Sequence, residues 1–388
     1  MRTTARFLCH IFAALLVAFV AASALPSFAE EASGVVSPPP PIALAPAPPA
    51  LPAPLRIEGA TVEEQAAAAK AAVDEHDYRK AAPLLLPSCE EDGVAESCYF
   101  LGELYYTGNV FAKDMARAIA LYLKACDAGD WRSCNSYGIS QGEFVESGEE
   151  KSATNAYLEL ACSHDYGLGC SNLGYRYEKG NYVIRDPERA RVLYAQSCEL
   201  QYGGGCYNMA SVLEDGIGGE KDLPGALSFY EKGCAFEHLD SCFWAAFFLE
   251  KGKVGEADPE AARDLYEDYC EQDHANACAE LGYLQEHGTG GPEDLEQARY
   301  NYAKACVLEN AVSCGNLGLM WEIGDGGGQS YAKAVDLYDR GCDLGGAGAC
   351  VGMGRLYAQG RGVRLDRALS KAYYDRACEL GNRWSCSQ

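Results

Sequence analysis

The chain has 388 residues, with 56 Asp and Glu against 32 Lys and Arg, for a formal charge of −24. An acidic surface of that strength repels phosphate backbones and anionic headgroups, which argues against nucleic acid or a membrane surface as partner. Apolar residues make up 48% of the chain, enough to build a substantial core.

The N-terminus reads as a processing signal. Arg2 and Arg6 form a short positive region, Phe7 to Ala22 is almost wholly apolar, and Ser27-Phe28-Ala29 supplies a small-x-small cleavage site. Residues 1–29 are therefore expected to be a signal peptide, with no membrane span after its cleavage; an uncleaved anchor is the alternative. Residues 30–58 follow, with SPPPPIALAPAPPALPAP at their centre. Proline fixes φ and has no amide hydrogen to donate, so this stretch is expected to be an extended, semi-rigid linker. Residues 59–388 form the repeat domain.

Cysteine spacing sets its architecture. Apart from Cys9, the cysteines fall into nine pairs: Cys89 with Cys98, Cys126 with Cys134, Cys162 with Cys170, Cys198 with Cys206, Cys234 with Cys242, Cys270 with Cys278, Cys306 with Cys314, Cys342 with Cys350, and Cys378 with Cys386. The second members recur every 36 residues without exception. Structural zinc sites use shorter spacings such as C-x-x-C, which is absent, so no metal is expected and disulfides are.

Other positions keep the register. Four residues after the second cysteine stands a small residue (Gly102, Gly174, Ala210, Gly282 and others), suited to close helix packing. Ten residues after it stands glycine (Gly108, Gly180, Gly252, Gly288), the expected C-terminal stop of a first helix, A. Six residues later comes a helix-capping residue: Asp114, Asp186, Asp222, Asp258, Asp294, Ser330 or Asp366. A second helix, B, then carries Tyr122, Tyr194, Tyr230, Tyr266, Tyr302, Tyr338 or Tyr374 at one fixed position and ends at the next first cysteine. Val62 to Asp74 and Asp77 to Cys89 read as an N-terminal capping pair. An irregularity is expected around Phe144 and Ser152, where Tyr157 is one place out of register.

The pattern LG-x-x-Y-x-x-G, then Asp, then A-x-x-LY-x-x-AC-x-x-G resembles the Sel1-like repeat, a relative of the tetratricopeptide repeat. Gly102 to Gly108, Leu173 to Gly180 and Gly354 to Gly360 match it. The cysteine-paired, exported form is similar to the Helicobacter cysteine-rich protein family. The expected fold is an all-α, right-handed superhelical solenoid of about nine Sel1-like helix pairs with one disulfide per repeat. The resemblance implies a periplasmic or secreted scaffold for protein or peptide binding in the cell envelope, cell-wall components included among its partners. It also implies an alternative, a penicillin-binding protein with weak β-lactamase activity.

No catalytic set or cofactor site is expected from the residues. The one S-x-x-K motif, Ser330 to Lys333, falls at a helix cap and lacks the S-D-N and K-T-G that complete a serine β-lactamase. The candidate binding site is a ladder eight residues into five successive units: Glu178, Glu214, Glu250, Glu286 and Glu322. Tyr175, Phe247 and Tyr283 lie one helical turn earlier. On a concave face formed by A helices these residues would make an acidic groove with aromatic anchors, suited to a basic or extended peptide. The plainer alternative has the glutamates solvated and the aromatic rings packed between helices.

Overall fold

The computed structural model describes residues 53–144 and 153–388. The expected signal peptide and most of the expected linker lie outside them. Every regular element among the described residues is helical. The helices run as A–B pairs: α1 (Val62–Asp74) and α2 (Tyr78–Glu90), α3 (Ala95–Thr107) and α4 (Met115–Asp127), α5 (Trp131–Phe144) and α6 (Asn155–Ser163), α7 (Gly167–Lys179) and α8 (Pro187–Glu199). There follow α9 (Gly203–Asp215) and α10 (Leu223–Ala235), α11 (Leu239–Lys251) and α12 (Pro259–Glu271), α13 (Ala275–His287) and α14 (Leu295–Val307). The array ends with α15 (Ala311–Ile323) and α16 (Tyr331–Asp343), α17 (Ala347–Gln359) and α18 (Arg367–Glu379), then a 3₁₀ turn at Ser385–Ser387.

The punctuation read from the sequence sets these boundaries. The B helices α4, α8, α10, α12, α14, α16 and α18 each begin behind a side-chain cap, from Asp114 to Asp366. Each such cap is worth about 1 kcal/mol. Helix A stops where Gly108, Gly180, Gly252, Gly288, Gly324 or Gly360 turns left-handed. His238 and His274 also cap helices, their side chains accepting the Ser241 and Ala277 amides.

Seven disulfides join the end of one B helix to the start of the next A helix, and Cys378–Cys386 joins the last B helix to the terminal 3₁₀ turn, all with Cα separations of 4.5–4.9 Å. Cys198 and Cys206 are disulfide-bonded as well. Every cysteine among the described residues is therefore oxidised, in keeping with the expected pairings.

The chain divides into two compact units at Gly205 and Cys206. The first opens on a capping box at Thr61 and Glu64. Residues just before it are docked: Leu55 N–H donates to the Pro83 carbonyl at 2.7 Å, and the Gln65 amide bridges Ile57 N–H and the Leu55 carbonyl. Arg56 pairs with Asp92 at 2.5 Å and Glu91 at 2.9 Å. The end of the expected linker thus lies on the first helix pair. In the irregular unit Leu158 fills the place that tyrosine takes elsewhere and packs against Gly138. Tyr157 turns aside onto Tyr137, ring centres 4.5 Å apart. Buried Arg176 ties this repeat to the next by donating to Thr154, Asn155 and the Gly138 carbonyl.

In the second unit Tyr230, Tyr266, Tyr302 and Tyr338 are fully enclosed, each at the centre of its repeat. Burial of an aromatic ring contributes roughly 2–3 kcal/mol. The small residue of helix A makes room for it: a Cβ on Gly282 would stand 2.9 Å from the Tyr302 ring. Alanine at that place would have to displace the ring, although Ala210 and Ala246 hold the corresponding place in two other repeats.

Candidate functional site

The five ladder glutamates do not line an open groove. Glu178, Glu250 and Glu322 are at least nine-tenths buried, and Glu214 and Glu286 partly so. Each accepts the phenol hydroxyl of the tyrosine sixteen residues on: Tyr194 at 2.8 Å, Tyr230 at 3.1 Å, Tyr266 at 3.3 Å, Tyr302 at 2.7 Å and Tyr338 at 2.9 Å. Four of them also pair with a cation: Glu178 with Lys179, Glu250 with Lys251, Glu214 with Lys253, and Glu322 with Arg355. The physical reason is rotation. Eight residues after the cysteine the side chain leaves helix A on the flank that faces helix B, where an enclosed tyrosine needs an acceptor. Neither of the two sequence expectations for these glutamates describes that arrangement. Burial, then the carboxylate, drives the Tyr194, Tyr266 and Tyr338 phenols far above their usual range, so they remain donors at any physiological pH.

The aromatic members of the expected site are placed differently. Tyr175 is exposed on α7 in the first unit, with Lys179 over its ring at 5.7 Å. In the second unit Phe247 is partly buried on α11 and Tyr283 is exposed on α13. The Lys251 ammonium lies 5.8 Å from the Phe247 ring centre and 5.9 Å from that of Tyr283. The two rings therefore flank one spot between neighbouring A helices. Trp244 packs edge-on to Phe247 at 5.2 Å.

A further acidic residue belongs to this spot. Glu280, two residues after Cys278, is partly buried and has no hydrogen-bond or ion-pair partner among the described residues. Burial pushes its carboxyl above the usual carboxylate range; Glu250 adds to the effect and Lys251 partly opposes it. Burial likewise raises Glu250, against the pull of Lys251 and Tyr266. The sequence offered one signal for Glu280. Residues two, five and nine after the cysteine share one helix face, the face that carries Phe247 and Tyr283. Along that face α15 exposes Val312, Leu319 and Ile323, at 66%, 39% and 54%. Three apolar side chains in one exposed row are not required by the fold.

Ser330 is a helix cap. Its hydroxyl accepts the Lys333 amide, while the Lys333 ammonium sits over the Trp321 ring at 3.8 Å. Among the described residues no group of His, Cys, Asp or Glu is placed to hold a metal ion, and no helix is long and apolar enough to cross a membrane.

Comparison with known proteins decides the family. The Sel1 repeat model matches residues 95–130, 167–202, 204–235, 239–274, 275–307, 311–346 and 347–382, well over half of the chain. The chain belongs to the Sel1 repeat family. As a Sel1 repeat protein it shares its fold with a protective antigen of uropathogenic Escherichia coli, at a TM-score of 0.60, 21% identity, and coverage of 76% of this chain and 63% of that one. A Sel1 repeat protein of Oxalobacter formigenes aligns at a TM-score of 0.56 and 18% identity, over 63% of this chain and 96% of that one. Cysteine-rich protein B of Helicobacter pylori is 31% identical over 35% of this chain and 97% of its own, at a TM-score of 0.29. Cytochrome c oxidase assembly factor 7 of Danio rerio is 30% identical over 110 residues, 27% of this chain and 48% of that protein. The Sel1 chain thus spans about half the length of the curated relatives it matches. A Sel1 solenoid with this many disulfides is built for a non-reducing environment outside the cytoplasm.

Proposed function

We propose that this Sel1 repeat protein is an exported, disulfide-stapled scaffold that binds a protein or peptide in the cell envelope through the exposed face of its A helices. The row of Val312, Leu319 and Ile323 on α15, on the helix face that carries Phe247 and Tyr283 in earlier repeats, carries this reading. Exposed apolar rows bordered by polar residues mark interaction surfaces, because leaving them in water is unfavourable unless a partner covers them. Sel1 repeats serve protein contacts, and the curated relatives are named as assembly factors, a role for those proteins that agrees with a protein-handling surface. The expected signal peptide supplies the route of export.

Site-specific photo-crosslinking tests the proposal in intact cells of the source organism. A crosslinker replacing Tyr283 or Leu319 should capture a partner, whereas one replacing Glu267 on the outer side of α12 should not. Equal capture from both faces, or none from the A face, would overturn the assignment.

A further inference from the structure

We propose that the A-helix face of the second unit binds an extended peptide through one basic and one apolar side chain about six residues apart. The inference rests on the scaffold reading above and names the chemistry of its ligand.

The basic side chain is called for by an imbalance of charge. Glu250 lies close enough to Glu280 to raise its carboxyl, and the one cation that acts on Glu280, Lys251, is ion-paired with Glu250. Among the described residues Glu280 is left with no ion pair of its own, in a partly buried position one helical turn before Tyr283. Only the shared Lys251, which also lies over the Phe247 and Tyr283 rings, offsets its charge. A carboxylate withdrawn from water without a partner is unfavourable. A second cation relieves it, and the two aromatic faces attract that cation further. Lysine and arginine suit the place because their alkyl stems lie along the rings while the charged head reaches the carboxylate. A peptide carboxylate there would be repelled.

The apolar side chain is called for by a slot between α15 and α17. Sister repeats carry Asp240, Asn276 or Val312 two residues before the cysteine, and Trp244, Glu280 or Asn316 two residues after it. In α17 both places are glycine, Gly348 and Gly352. Their missing side chains open a cavity of about 250 Å³ whose walls include Val312, Leu319 and Val351 and whose floor is Tyr338. Pockets for drug-sized molecules run to roughly 300–1,000 Å³, so this one suits a single side chain. A Cβ on Gly352 would stand 2.6 Å from the Tyr338 ring, which shows how directly the floor is reached. At the rim the Nε of Arg355 is buried without an acceptor, although the same guanidinium is paired with Glu322. A peptide carbonyl entering the slot supplies that acceptor. The site at Glu280 lies between α11 and α13, two A-helix steps from the slot. At 8–10 Å per packed helix the separation is roughly 20 Å, or about six residues of extended chain.

A random decapeptide array probed with the oxidised chain tests the inference. Bound peptides should be enriched in Lys or Arg with a Leu, Ile, Met or Phe five to seven residues away. Glu280→Gln should weaken the selected peptides about tenfold, and Glu280→Lys should turn the basic preference into an acidic one. Gly348→Leu should remove the apolar preference alone, since a Cβ added there meets no atom within 4 Å, which leaves the branch point unstrained while the rest of the side chain occupies the slot. A bound set without basic bias, a bias untouched by Glu280→Gln, or no binding at all overturns the inference. Partner capture by crosslinking decides the scaffold reading independently of each of these results.

Discussion

The phenol of Tyr194 donates to Glu178 Oε2 at 2.8 Å, joining the middle of helix α8 to the last turn of α7 inside a fully enclosed contact. Four later repeats make the same bond, and the α3–α4 pair makes it from Tyr122 to Glu103, one helical turn earlier on helix A. In the last repeat Ala358 stands in the glutamate's place, and Tyr374 has no hydrogen-bond partner among the described residues. Tyr194→Phe should therefore destabilise its repeat by about 1–2 kcal/mol, because Glu178 loses its donor while remaining buried. Tyr374→Phe should change stability by less than about 0.5 kcal/mol. Hydrogen exchange of α7–α8 and of α17–α18 separates the two; equal effects would mean that the bond contributes nothing.

Much of this was legible in the sequence, for a physical reason. Disulfides, left-handed glycine caps and aspartate caps each depend on a local spacing, and a 36-residue register displays local spacing repeatedly. The glutamate–tyrosine bond was legible in principle, since five repeats carry both residues and the repeat with Ala358 lacks the bond. Helical projection alone left position eight on the border between face and flank, which is why the glutamates read as a surface ladder. For Glu280 the sequence showed only its place on the exposed face, not its role. Its significance depends on Glu250 and Lys251, some thirty residues earlier, and on how closely neighbouring A helices pack.

The disulfides should act locally. Closing a loop of about nine residues contributes roughly 2.5 kcal/mol in the chain-entropy model. Replacing Cys270 and Cys278 by serine should lower protection of α12 and α13 by that amount. The α1–α2 pair should be unaffected, because a repeat touches only its neighbours. Uniform loss of protection along the chain would contradict local action.

The turn from helix B into the next helix A holds one residue left-handed, three places after the first cysteine. Gly129, Gly345 and Gly381 occupy it in three repeats, whereas Glu309 adopts φ 66° and Asp273 φ 61°. A non-glycine residue there costs about 1–2 kcal/mol, and glycine's own entropic penalty of roughly 0.5–1 kcal/mol offsets part of the relief. Glu309→Gly should stabilise the chain by about 0.5–1 kcal/mol in urea unfolding. Destabilisation would mean that the Glu309 side chain makes a contact that matters more than its backbone strain.

Ser330 offers a direct test of the enzymatic alternative implied by the family resemblance. As a cap, Ser330→Ala should lower stability by about 1 kcal/mol, and Ser330→Asp should match or slightly exceed the native chain. Any nitrocefin turnover by the purified, oxidised protein should be the same in all three. Turnover abolished in a folded Ser330→Ala chain would make this serine catalytic.

Glu280 sets the last prediction, through pH. Its carboxyl is raised in the folded chain, chiefly by burial and then by Glu250, while Lys251 pulls it down. The enclosed phenols of Tyr266 and Tyr302, from α12 and α14, also feel its charge. A carboxyl with a raised folded pKa binds its proton more tightly when folded. The ionised form therefore destabilises the fold above the folded pKa, and the penalty fades as pH falls towards the unfolded value of about 4.3. Glu280→Gln, which removes the charge and keeps the shape, should accordingly be more stable than the native chain at pH 7. The difference should shrink on acidification and vanish below about pH 4. A destabilised Glu280→Gln at pH 7 would show that Glu280 already has a partner in solution. A stabilised one, bought with weaker binding of basic peptides, would mean that this carboxylate serves recognition at the expense of the fold.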